Sequence, residues 1–76
     1  MIRTLVEEIV KSIVDDPSQV QVTQTQREDG RHVIAIKIAD ADLGKVIGRN
    51  GQTIKAIRAM VYALNPYDQE IMVDIA

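Results

Sequence analysis

From residue 2 to residue 14 the apolar side chains fall at spacings of three and four: Ile2, Leu5, Val6, Ile9, Val10 and Ile13. An α-helix turns once in 3.6 residues, so these positions share one stripe and predict an amphipathic helix resting on a core. Thr4 and Glu7 have capping-box spacing, while Ile2 points to a slightly earlier start. Asp15, Asp16 and Pro17 end the helix, because proline disfavours helical geometry in the residue before it. The period then changes. Val20 and Val22 alternate with Gln19, Gln21 and Thr23, which predicts a half-exposed strand running to about Gln26. Glu28-Asp29-Gly30 reads as a turn, the glycine supplying the positive φ of a tight hairpin. In the segment from His32 to Ile38, Ile34, Ile36 and Ile38 occupy one face and Val33, Ala35 and Lys37 the other. A strand this apolar on both faces belongs in the middle of a sheet.

Asp40 or Asp42 is placed to cap a short helix, Leu43 to Ile47, which breaks at Gly48. A second helix follows from about Gln52 to Leu64, with Ile54, Ile57, Val61 and Leu64 inward, and Asn65-Pro66 ends it. Glu70 to Ile75 alternates once more through Ile71, Val73 and Ile75, a closing strand. Two helices between the second and third strands form a crossover long enough to make those strands parallel, while the first two form an antiparallel hairpin. The expected product is an α+β fold of order α-β-β-α-α-β. It has a three-stranded mixed sheet with three helices packed on one face, and one domain over residues 1–76.

Composition narrows the chemistry. With no cysteine and a single His32, neither a disulfide framework nor a zinc site can be assembled, and no metal or other cofactor is expected. No apolar run approaches the roughly 20 residues needed to span a bilayer. The N-terminus meets charge too early for a secretory signal, so a cytoplasmic location and no membrane partner are expected. The net charge is −2, but its distribution matters more than its total. Residues 1–30 and 63–76 each sum to −3, residues 31–42 balance, and residues 43–62 carry Lys45, Arg49, Lys55 and Arg58 with no acid, or +4. Positive charge is thus confined to one patch on an acidic body, which suits a single phosphate-bearing strand better than a duplex.

That patch contains Gly44-Lys45-Val46-Ile47-Gly48-Arg49-Asn50-Gly51. A Walker-type loop would need glycine at 39 and Ser or Thr at 46, and the chain has Ala39 and Val46. A dinucleotide fingerprint ending at Gly51 would need glycine at 46, so Val46 excludes it as well. A plain helix–helix turn remains the bland alternative. Against it, Arg49 and Asn50 at the tip are both phosphate donors, and the turn opens into a helix whose positive end attracts anions. Glycines let a ligand backbone approach the main chain, and Val46, Ile47 and Ile54 supply aliphatic surface beside the turn.

The stretch Val46-Ile47-Gly48-Arg49-Asn50-Gly51-Gln52-Thr53-Ile54-Lys55 resembles the signature of the KH domain, V-I-G-x-x-G-x-x-I-K. The element order resembles the type II form of that fold. Over its whole length the chain is similar to the small single-KH proteins of bacteria, the KhpA family. The resemblance implies that Gly48 to Gly51 clamps the backbone of about four unpaired nucleotides. Arg49 and Asn50 would meet phosphates, Lys45 and Lys55 would add field, and bases would lie on Val46, Ile47 and Ile54. Arg58, one turn beyond Ile54, points either to that groove or to solvent, and the sequence leaves both open. It further implies a non-catalytic single-stranded-RNA-binding protein, an RNA chaperone or post-transcriptional regulator linked to cell shape and envelope homeostasis. Expected partners are RNA and a second KH chain, as a homodimer, a heterodimer with a larger KH-domain protein, or both.

The other polar residues have ordinary roles. Asp15-Asp16 and Asp40-x-Asp42 sit at helix boundaries, where aspartate caps far more often than it catalyses. His32 at the hairpin exit is expected on the surface, and Tyr62 and Tyr67 are expected to pack over a helix end. No nucleophile–base pair stands out, so neither catalysis nor a small-molecule substrate is expected. Two rivals remain: a protein-interaction module using the same fold, and a single-stranded DNA binder.

Overall fold

The structure is a computed structural model that describes residues 2–67 and 70–76. In chain order the elements are α1 (Ile2–Ile13), β1 (Gln21–Gln26), β2 (His32–Lys37), α2 (Leu43–Ile47), α3 (Gln52–Leu64) and β3 (Ile71–Ile75). Short 3₁₀ turns lie at Pro17–Gln19, Asp40–Asp42 and Arg49–Gly51. Strand β2 is central, antiparallel to β1 and parallel to β3, with Ile34 opposite Gln24 on one side and Val73 on the other. This is the α+β arrangement, α-β-β-α-α-β, that the change of hydrophobic period predicts, and it agrees with what the resemblance to a type II KH domain implies.

The register puts Val22, Ile34, Ile36, Ile71 and Val73 on one sheet face, where the three helices cover them. Ile2, Val6 and Val10 of α1, Val46 of α2, and Ile54, Ile57 and Val61 of α3 meet them from above. Among the described residues every buried hydrophobic side chain is Ile or Val. Stiff β-branched side chains lose little rotamer freedom on packing against a pleated surface, which suits a small core without aromatics. The opposite sheet face, carrying Thr23, Val33, Ala35, Lys37 and Met72, has no helix over it among the described residues.

Several expectations are corrected. Helix α1 begins at Ile2, so Thr4 lies inside it and is not the cap; Glu7 instead bridges Arg3 at 3.1 Å and Lys11 at 3.0 Å. The buried stripe of α1 is the i, i+4 row Ile2-Val6-Val10, leaving Leu5 38% exposed on its flank. Leu64 is 51% exposed, not inward. It is the last residue of α3, where the chain turns away at Asn65-Pro66. His32 is half-buried, its ring stacked on Tyr67 with centroids 3.8 Å apart. Gln24 Nε2 donates to the Tyr67 hydroxyl at 2.9 Å, so Tyr67 covers the polar end of the sheet while Tyr62 stays exposed.

Candidate functional site

The glycine turn joins two helices whose flanking residues are driven into the core. Val46 is fully buried and Ile54 is 6% exposed, so both ends of the turn are pinned by hydrophobic burial, with Ile47 half-buried between them. What remains outside is Arg49 and Asn50, both exposed at the tip. Val46 and Ile54 therefore act from beneath the turn and offer no open surface, and Ile47 is the aliphatic side chain left beside it.

Backbone geometry explains the two glycines. Gly48 takes φ 77°, ψ 173°, a region essentially closed to residues with a side chain. A Cβ there would stand 2.8 Å from both the Cβ and the backbone nitrogen of Thr53, besides overlapping its hydroxyl. Gly51 takes the left-handed conformation at φ 73°, ψ 16°, and Asn50 precedes it at φ 55°, ψ 26°. Asparagine adopts that conformation more readily than other side-chain-bearing residues, so its place at the tip has a backbone reason beside its polarity. The Gly48 amide closes α2 on the Gly44 carbonyl at 2.9 Å, and the Gly51 amide closes the turn on the Gly48 carbonyl at 3.1 Å. The Gln52 amide donates to the Arg49 carbonyl, and no side chain caps the start of α3. The positive end of a 13-residue helix thus faces the tip.

The four cations of this segment divide into two pairs. Arg49 and Lys55 are exposed and form no ion pair among the described residues. Lys45 is engaged: its Nζ lies 2.7 Å from Asp15 Oδ2. The hydrogen bond that Lys45 donates to Asp15 raises the lysine pKa above its ordinary value, partial desolvation opposes it, and the negative charges of Asp15 and Asp42 add to the rise. Arg58, half-buried, is engaged through one atom of its guanidinium. Its Nε donates to the Val73 carbonyl at 3.1 Å. Because the Glu70 carbonyl and the Ala76 amide bond to β2, residues of even number on β3 face β2 and Val73 faces the free edge. Arg58 therefore occupies a hydrogen-bonding group on an open strand edge, one way such edges are protected from pairing.

The sequence missed the role of Asp42. It caps neither its own helix nor the 3₁₀ turn before it; its side chain is 2% exposed. Its two carboxylate oxygens accept the amides of Asp15 and Asp16, each at 3.1 Å, satisfying backbone donors of the loop that follows α1. The partner lies 27 residues away, so nothing local in the sequence announces it.

Among the described residues no group of His, Asp or Glu is placed to hold a metal ion, and no helix is long and apolar enough to cross a membrane. A cleft of about 410 Å³ is lined by Tyr62, Asn65, Glu70, Ile71 and Met72. It sits at the far end of α3 from the glycine turn, roughly 20 Å away by helix length.

A family model described as "KhpA/KhpB, KH domain" matches residues 3–75. The chain is 45% identical over 64 residues to an RNA-binding protein KhpA of Streptomyces coelicolor, covering 84% of this chain and 80% of that one. It is 43% identical over 61 residues to the RNA-binding protein KhpA of Oceanobacillus iheyensis, covering 80% of each. With the RNA-binding protein KhpA of Thermotoga maritima it shares 34% identity over 73 residues, 96% of each chain. No solved structure matches it significantly.

Proposed function

Because this chain belongs to the KhpA/KhpB KH-domain family, we propose that it is a non-catalytic protein that binds single-stranded RNA through the turn from Gly48 to Gly51. The observation that carries this reading is the exposed Arg49–Asn50 tip, held in a backbone conformation that requires Gly48 and backed by the uncapped start of α3. A phosphate at the tip would meet the Arg49 guanidinium, the Asn50 amide and the positive end of the helix together. Lys55, exposed and without an acid partner among the described residues, adds field one turn into α3. Ile47 offers apolar contact to a base. On this reading residues 1–76 form a single KH domain.

A clamp of about four nucleotides with two free cations binds weakly by itself. Pairing with a second KH chain would raise its apparent affinity through effective concentration. An exposed strip of α3 supports such pairing: Ala56, Ala59, Met60, Ala63 and Leu64 are uncharged and exposed, with Lys55 at its border. A homodimer, or a heterodimer with a larger KH-domain protein, fits this picture. So does an RNA-chaperone or post-transcriptional role in the cytoplasm that bears on cell shape and envelope homeostasis.

The test is titration of unstructured RNA and DNA oligomers at several salt concentrations. RNA binding that weakens as salt rises, and exceeds DNA binding, is expected. The double variant Arg49→Asp/Asn50→Asp should abolish binding while folding normally, since both side chains are exposed and aspartate tolerates the left-handed conformation at 50. A folded double variant with unchanged affinity refutes the clamp. Retained self-association without any RNA binding would favour the interaction-module reading instead.

A further inference from the structure

We propose that Asp15 stands in for a phosphate on Lys45, holding that cation in the free protein and reducing the charge the glycine turn offers to RNA. This rests on the RNA-binding reading above and concerns how strongly the same site acts.

The geometry that sets it up is a buried anchor beneath an exposed pair. Asp42 is buried and accepts the Asp15 amide, which fixes the backbone of Asp15 against the start of α2. Lys45 lies three residues after Asp42, on the same side of one helical turn. The Asp15 carboxylate therefore reaches the ammonium from a fixed base, at 2.7 Å, the length of a charge-assisted hydrogen bond. Above the anchor, the two side chains are 45% and 77% exposed, open to exchange with another anion. Lys45 precedes Gly48 by three residues, about one helical turn back from the tip, where a strand held at the turn could reach it. To use Lys45, a phosphate must first displace the carboxylate, and it then remains beside that negative charge. Arg49 and Lys55 carry no such competitor among the described residues. Stability does not depend on the ion pair, because the two hydrogen bonds to Asp42 already tie these segments together.

Four full-length chains test this: wild type, Asp15→Asn, Lys45→Gln and the double variant, each titrated with a short oligouridylate across a range of salt. Each phosphate newly neutralised on a single strand steepens the slope of log K against log salt by about 0.7. Asp15→Asn is expected to steepen the slope by about that amount and to bind roughly two- to fivefold tighter at low salt. Lys45→Gln should change the wild-type slope little, whereas in the Asp15→Asn background it should remove the whole gain. As an RNA-free check, NMR titration of the Lys45 ammonium should show its pKa falling toward the ordinary lysine value in Asp15→Asn. The proposal is overturned by an unchanged slope in Asp15→Asn, or by a Lys45→Gln loss equal in both backgrounds. If wild-type binding depends on Arg49 but the Asp15→Asn slope is unchanged, this inference alone fails. If none of the four chains binds RNA, the RNA-binding reading fails and takes the inference with it.

Discussion

Replacing Asp42 with alanine removes the one buried carboxylate among the described residues and leaves the amides of Asp15 and Asp16 without their acceptors. A hydrogen bond to a charged group contributes about 1.5–3 kcal/mol, so the two together contribute roughly 3–6 kcal/mol before opposing effects. Desolvation of the carboxylate offsets part of this, and water reaches the part-buried amides in the variant, leaving a net loss of about 2–4 kcal/mol. At about 0.05–0.15 kcal/mol per residue, a chain of 76 residues has some 4–11 kcal/mol in total. The variant is therefore expected to lose roughly a fifth or more of its stability, and to melt roughly 8–32 °C lower. Urea unfolding followed by far-UV circular dichroism measures this as a lower midpoint at unchanged slope. Asp42→Asn separates charge from shape: it keeps the volume but turns an NH₂ group toward one of the amides, so it should be destabilised as well. The control is Asp40→Ala, an exposed aspartate of the same 3₁₀ turn whose side chain makes no hydrogen bond among the described residues, which should stay within about 0.5 kcal/mol. If Asp42→Ala also stays within about 0.5 kcal/mol, the carboxylate is not an anchor and the reasoning fails.

The glycines of the turn should differ in their tolerance. Gly48→Ala combines a glycine-only backbone conformation with contact against Thr53 and should cost about 3 kcal/mol or more, whereas Gly51→Ala, left-handed but unobstructed, should cost about 1–2 kcal/mol. Equal losses by thermal melting would contradict that ranking. Glu7 has its pKa lowered, chiefly by the hydrogen bond and charge of Lys11 and further by Arg3. Its folded form binds protons less readily than its unfolded form, so its contribution is complete above the ordinary glutamate value and is lost as pH falls through the lowered one. Wild type minus Glu7→Gln, measured as melting temperature against pH, should shrink on acidification and hold steady from neutral to mildly alkaline pH.

Much of the fold was legible because hydrophobic period is a local property. The i, i+4 row of α1, the alternation through Ile34 and Ile36, and the apolar positions of α3 each declare an element, and the length of the α2–α3 crossover declares the parallel pairing of β2 with β3. The turn was legible for a different reason: only glycine supplies the backbone freedom found at 48, and an Arg at the tip between glycines needs an explanation beyond geometry. Side-chain partners were not legible. For Arg58 the sequence left groove and solvent open and gave no sign that its Nε bonds to an edge carbonyl of β3, a contact made possible where Ile57, Val61 and Val73 share one core. His32 was read as exposed and stacks under Tyr67, a contact across 35 positions of chain that depends on where β2 starts relative to the end of α3.

The sequence by itself therefore determined the order of elements, the mixed sheet, and a glycine turn carrying positive charge, since each follows from residues close together along the chain. Only the tertiary structure decided how much of that charge is available. Of the four cations without an acid in their segment, Lys45 is held by Asp15, which arrives from the end of α1, and Arg58 has its Nε fixed on an edge carbonyl of β3 while keeping its charge. Charge along the chain sums residue by residue, but the field at a site depends on which distant groups the packing brings within a few ångströms.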